Sequence, residues 1–430
     1  MEDETVTTLE KKLRFVVSCT LTVLGLLGGI SVSPAAEQEF QKTPIVLPAS
    51  EVLPKQMLTG SNYRIKDPVI NDGLVNTYEL DTLYGPVRVE STALLVKRIG
   101  ELNALVKIEE IKKTSAYLKA VQKAAMLPVN TAVGLVGDPV GTVEGIGSGI
   151  GRFFSNVGSA ITGGGGPYKD NALDSFLGQA SYKREYAYHF NVDPYTTFQP
   201  LQKALNDLAW TAAAGGLTVK AALAVIPGTA IAVVSYTGTA GSLKALINEK
   251  TPAELAKINE NNLYRMRVPV PIVQVFMQNP VFDPYEQTML VGHLASMKGV
   301  ANAKIYVATA AGATDESVAV FLRVRVQLLA LYNENEKSVA GFVNVAGFPM
   351  FLTKGGVVVG IFPFDHVTWT ASFAQKATSA AAAIKEISGV TGKEFCITGT
   401  VDPVARKALE ERGWKVQDRY QEQILTMIGY

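Results

Sequence analysis

Between Lys220 and Lys244 the chain runs for 23 residues without a charged side chain, a stretch that has to be hidden from water. Its length matches a bilayer span. Against a straight span, Pro227-Gly228 falls near its centre, and Ala, Gly, Thr and Ser supply much of the run. Small residues let two helices approach closely, so the pattern predicts an apolar helical hairpin, with arms at 201–225 and 229–247. Burial of that hairpin in protein is favoured over burial in lipid.

A second apolar run lies near the start. Lys11, Lys12 and Arg14 precede 15–32, which carries no charge, and Ser33-Pro34-Ala35-Ala36 then leads into Glu37-Gln38-Glu39. Basic, apolar, then small residues at the −3 and −1 places is the layout that a signal peptidase reads. We expect residues 1–35 to be a cleaved signal peptide, with a cut after Ala35 or, second, after Ala36. A retained anchor is the alternative; Gly25, Gly28, Gly29 and the small-residue exit argue against it. Val16-Val17-Ser18-Cys19 resembles a lipoprotein box, but only 15–18 would serve as its apolar region.

Export fixes the redox chemistry. Cys19 leaves with the leader, Cys396 is then the one thiol, and no internal disulfide is available. Losing three of 40 basic and four of 39 acidic residues leaves 37 and 35, a net charge of +2. Such a balance attracts neither nucleic acid nor acidic surfaces in general. About 395 residues remain, enough for a large core.

The spacing of apolar residues divides the mature chain. Residues 36–60, with Pro44, Pro48 and Pro54, read as an extended lead-in. Residues 61–126 hold a small β element, two strands about Tyr84-Gly85-Pro86 within 77–91, and a long amphipathic helix over 92–125. Residues 127–169 form a Gly-rich apolar segment, where helix is costly; Phe153 and Phe154 are its candidate contacts with lipid or a partner. Residues 170–335 are helical, with helices at 171–189, 251–264, 283–297 and 313–332. Residues 336–430 form a C-terminal α/β portion. It comprises a β-meander (339–345, 350–353, 357–362), a helix at 370–387, and a strand-helix-strand unit over 395–417. The class is α+β. Five Asp-Pro pairs punctuate the chain. Two sit in similar surroundings, Asn191-Val192-Asp193-Pro194-Tyr195 and Val281-Phe282-Asp283-Pro284-Tyr285, and both predict helix starts.

Little in the sequence points to catalysis. The histidines His189, His293 and His366 are isolated, with no metalloprotease pair. There is no Cys pair for a structural zinc and no Gly-x-Ser-x-Gly elbow. Gly147-Ser148-Gly149-Ile150-Gly151 fits neither a dinucleotide fingerprint nor a P-loop. We therefore expect no cofactor and no metal. Asp365 and His366, in the aromatic stretch that runs on to Trp369, are the one candidate catalytic pair, with closure of the meander as the plainer role. Tyr182, Tyr186, Tyr188 and His189 among Lys183, Arg184 and Glu185 predict an aromatic-basic face. Of these and the meander's aromatics, Tyr182, Tyr186 and Trp369 are candidate partner or lipid contacts.

Two stretches resemble an uncharacterised family of exported proteobacterial envelope proteins. One is Lys183-Arg184 … Asn191-Val192-Asp193-Pro194-Tyr195 … Leu201-Gln202-x-x-Leu205 … Ala209 … Gly215-Gly216. The other is Thr398-Gly399 … Asp402-Pro403-x-Ala405-Arg406 … Leu409-Glu410-x-x-Gly413-Trp414. The resemblance implies a Gram-negative envelope setting and supplies no activity. Together these readings predict a non-enzymatic, periplasmic protein, associated with a membrane surface or with another envelope protein. A periplasmic hydrolase at Asp365 and His366 and a protein-binding module are the alternatives.

Overall fold

The computed structural model describes residues 40–125, 149–156, 178–224, 238–335 and 338–419. The chain divides into two units, Met1–Phe40 and Gln41–Tyr430, and the elements below belong to the second. The expected leader, most of the Gly-rich segment and the centre of the apolar hairpin lie outside the described residues.

The N-terminal sheet is antiparallel. It comprises β1 (Ile45–Leu47), β2 (Tyr63–Ile65), β3 (Val69–Asn71), β4 (Asn76–Thr82) and β5 (Gly85–Glu90). Strand β4 organises it. β3 pairs with Asn76 and Thr77, β2 with Leu80 to Thr82 on the same edge, and β5 takes the whole opposite edge. Alternation along β4 buries Asn76, Tyr78 and Leu80. The expected lead-in at 36–60 is thus more ordered than its prolines suggested, since it contributes β1 and a short helix, α1 (Ala49–Val52).

Helices fill the middle: α2 (Thr92–Lys112), α3 (Ser115–Ala125), α4 (Gly149–Asn156), α5 (Gln179–Phe190), α6 (Gln199–Gly215), α7 (Val219–Leu223) and α8 (Gly238–Glu249) come first. They are followed by α9 (Pro252–Arg265), α10 (Val270–Met277), α11 (Pro284–Ser296), α12 (Ala303–Ala311) and α13 (Glu316–Asn335). The single helix expected over 92–125 is two. The Thr114 hydroxyl donates to the Ile111 carbonyl at 2.7 Å and accepts from the Tyr117 amide at 3.2 Å, so one side chain closes α2 and caps α3. α9 carries the capping box predicted from Thr251 and Glu254. α13 runs through the core, with almost every residue from Ser317 to Ala330 buried.

The C-terminal sheet contains β6 (Val339–Val345), β7 (Phe348–Thr353), β8 (Val357–Phe362), β10 (Gly392–Ile397) and β12 (Trp414–Gln417), in the order β12-β10-β8-β7-β6. The meander β6-β7-β8 is antiparallel, whereas β8, β10 and β12 are parallel. Parallel neighbours need crossovers, here α14 (Ala371–Lys385) and α15 (Pro403–Glu411). A short parallel pair, β9 (His366–Val367) with β11 (Thr400–Val401), closes one end. The architecture is α+β, a small sheet and a mixed sheet around a helical middle, as the sequence indicated.

Candidate functional site

The two similar Asp-Pro-Tyr segments meet. Asp193 follows α5 and Asp283 precedes α11, and both carboxylates reach the Lys97 ammonium on α2, at 3.1 and 4.0 Å. Glu286 of α11 and Glu316 of α13 complete the cage at 3.1 and 3.3 Å. Arg323 pairs with Glu286 at 2.9 Å, and Arg98 bridges Glu101 and Glu316. Every member of this network is largely shielded from solvent.

Electrostatics sort the network. Burial opposes the charge on Lys97, but Glu286, Asp193, Glu316 and Asp283 outweigh it and hold the ammonium well above its usual range. Burial and the adjacent Asp193 push the Asp283 carboxyl well up from its usual range, against the pull of Lys97. Glu286 is held down despite burial by Arg323 and Lys97, and Glu316 by Lys97 and Arg98. His293, also on α11, is pushed down to about 3 by burial and by Arg323, and neither ring nitrogen has a hydrogen-bond partner.

Of the two predicted helix starts, only Asp283 is one. Its carboxylate accepts from the Glu286 amide at 2.8 Å. Asp193 instead accepts from the Tyr195 amide at 2.7 Å and turns the chain, and the next helix waits until Gln199.

Beside this network lies a small cleft whose accessible space is about 10 Å³, room for about one water molecule. α5 supplies Arg184 and Tyr188, four residues apart and so on one face. Asn191 ends that helix at φ 58°, a left-handed position that Asn tolerates, and its side chain accepts from the Lys244 ammonium at 2.6 Å. α8 contributes Lys244, Ile247 and Asn248, and α11 contributes Tyr285. Arg184 is 7% exposed; its Nε donates to the Asn248 carbonyl at 3.2 Å while one terminal nitrogen, buried, finds no acceptor. Burial and the like charge of Arg323 push Lys244 down to about 8.

The residues singled out from sequence lie elsewhere. Asp365 accepts from the Asn76 amide at 2.7 Å and from the Thr92 amide at 3.1 Å, tying the loop after β8 to the N-terminal sheet and to the start of α2. Burial pushes its carboxyl up to about 6. His366 is half-buried and pairs through Nδ1 with the Thr400 hydroxyl at 2.7 Å. Adjacent in sequence, the two side chains are committed to different partners, with no hydrogen bond between them among those described.

Phe153 and Phe154, expected at a lipid or partner surface, are buried. Phe154 stacks on Phe348 at 4.7 Å and touches Phe321, Phe362 and Phe364. A short amphipathic helix among glycines presents the same pattern whether its partner is lipid or core. Trp369 is fully buried, with the Arg412 guanidinium 4.7 Å from its ring. Tyr186 is fully buried and stacks on Phe190, whereas Tyr182 is half-buried. Of the aromatic and basic residues on α5, Arg184 and Tyr188 line the cleft. Lys97, Glu286, Glu316 and Arg323 carried no local signal; only the repeated Asp-Pro-Tyr context pointed toward Asp193 and Asp283.

Among the described residues no group of three or more His, Cys, Asp or Glu side chains is arranged to hold a metal ion, and no helix is long and apolar enough to cross a membrane. The chain matches no family model, no curated protein and no solved structure.

Proposed function

We propose that this chain is an exported, non-enzymatic protein of a Gram-negative envelope, working in the periplasm by binding rather than by catalysis. The use to which the fold puts Asp365 carries this reading. The most reactive-looking carboxylate in the sequence is spent on two backbone amides, as a clamp between segments 273 residues apart. The leader layout and the resemblance of 182–217 and 397–416 to exported envelope proteins support the location. The cleft beside Lys97 supports binding, because it gathers cationic and hydrogen-bonding side chains from three helices. Association with a membrane surface or with another envelope protein remains part of the proposal.

Cell fractionation with N-terminal sequencing tests it. The expected product starts at Ala36 or Glu37, lies in the periplasmic or envelope fraction, and divides between soluble and carbonate-washed membrane pools. An intact N-terminus in the cytosol overturns the location. For the non-enzymatic part, replacing His366 by Ala in a strain with a scorable phenotype should change nothing while folding is normal; loss of the phenotype overturns it.

A further inference from the structure

We propose that the corner joining α9 to α10 docks on an anionic lipid surface, with Arg265 and Arg267 against the headgroups and Tyr264, Pro269, Val270 and Pro271 at the apolar boundary. This rests on the membrane association proposed above and names the surface responsible. The backbone gives the first observation. After α9 the Val268 amide donates to the Leu263 carbonyl at 3.0 Å and the Arg267 amide to the Tyr264 carbonyl at 2.9 Å, while Leu263 and Val268 are both buried. Such a Schellman ending puts residue 267 in the left-handed region, at φ 59°. At the ends of α6 and α15 the left-handed position holds Gly216 and Gly413, and at the end of α5 it holds Asn191. Arg at such a position costs backbone energy that Gly would not. Yet the Arg267 guanidinium, like that of Arg265, is exposed and has no hydrogen-bond or ion-pair partner among the described residues.

Composition gives the second observation. Between Glu260 and Asp283 these two arginines are the only charged residues. Beside them Tyr264 and Val270 stay 43% and 51% exposed, and Pro269 and Pro271 are exposed as well. The partial negative charge at the end of α9 accounts for one nearby cation, but neither for a second nor for the exposed apolar side chains. Tyr and aliphatic groups beside Arg match the boundary between headgroups and acyl chains. The prolines bring no N–H to desolvate, so the corner enters that boundary without stranding donors at either of them. Size favours a bilayer over a protein partner. The corner spans eight residues, 264–271, whereas each side of a standard protein interface brings about 20–30; a planar surface asks only for an anchor.

Sedimentation of the purified protein, in the form the cell holds, with two kinds of vesicle tests the assignment: phosphatidylcholine alone, and phosphatidylcholine with phosphatidylglycerol in equal parts. The parent should bind the mixed vesicles about tenfold more tightly than the neutral ones, and less as salt rises. Arg267→Gly is the decisive variant. Glycine suits the left-handed position, so the melting temperature should rise while binding to mixed vesicles weakens about fivefold. A purely structural Arg267 predicts no loss of binding. Arg265→Gln should weaken binding by a similar factor with folding intact. Val270→Trp should shift its emission to the blue on mixed vesicles, and Val404→Trp, at an exposed site on α15, should not. The assignment is overturned if mixed vesicles are not bound or are bound no better than neutral ones. It is equally overturned if both arginine variants bind as the parent does, or if Val270→Trp shifts no more than Val404→Trp. Co-purification of an acidic envelope protein that Arg267→Gly loses, without vesicle binding, would give the corner to a protein partner instead. Binding to mixed vesicles that ignores these variants would discard this corner and leave the membrane association. Absence of binding, with the protein missing from the membrane pool of fractionated cells, would discard both.

Discussion

Lys97 shows how much one side chain organises here. It draws carboxylates from three separate segments to within 4 Å, and each of them is too buried to be left without a counter-charge. Lys97→Met should therefore cost about 3–5 kcal/mol in chemical denaturation, because it strands the carboxylates rather than merely removing a contact. Asp283→Asn is the contrasting change. Burial and Asp193 push its carboxyl well up, and an amide keeps both the helix cap and a donor toward Asp193, so the cost should stay within about 1 kcal/mol. Equal losses from the two substitutions would mean that the charge order drawn around Lys97 is wrong.

Elements carry the next constraint, and a tight one is where α6 meets α3. A Cβ added at Gly215 would sit 2.3 Å from the Ala120 carbonyl oxygen, closer than any real contact. Gly215→Val should force the two helices apart and destabilise by about 1–3 kcal/mol or more. A thermal melt unchanged from the parent would show that the helices are looser than described. Strands β4 to β8, β10 and β12 and most of the longer helices were legible because their periods are clean and their ends are marked: Asp283 and Thr251 cap where expected, and Gly413 stops α15. The two- and three-residue strands β1, β2, β3, β9 and β11 are too short to show a period. Several helices were also hidden, among them α1, α4 and α7, which fall in stretches read as an extended lead-in, a Gly-rich segment and a single hairpin arm. α10 is short, apolar and opened by Pro269 and Pro271, which looks like a break, and α12 mixes Ile, Val and Thr in nine residues, where helix and strand patterns coincide. The break at Thr114 was also hidden, since one hydroxyl decides it while the apolar period runs on. The cleft was invisible for another reason. Its lining comes from residues 184 to 285 and the neighbouring ion-pair network from 97 to 323, and no local spacing encodes such meetings.

At the scale of the whole molecule, Asp365 joins what sequence distance separates. It fastens the loop following the mixed sheet to β4 and α2, and its carboxyl is pushed up to about 6 by burial against an ordinary value near 4. The folded state therefore holds its proton more tightly than the unfolded chain does. This contribution to stability is complete below pH about 4 and is lost as pH rises through about 6. Asp365→Asn should flatten that part of the pH profile, while Asp365→Ala, which leaves the Asn76 and Thr92 amides without an acceptor, should cost about 2–4 kcal/mol at every pH. Cys396, fully buried in β10 and the one thiol of the chain from Ala36 onward, reports the consequence. In the parent protein it should react with iodoacetamide only as fast as the chain opens. In Asp365→Ala the rate should rise with the loss of stability, because the clamp and the thiol belong to one compact unit. Labelling of the parent at the rate of an unfolded thiol, or labelling indifferent to Asp365, would show that the C-terminal sheet opens independently of the N-terminal sheet to which Asp365 ties it.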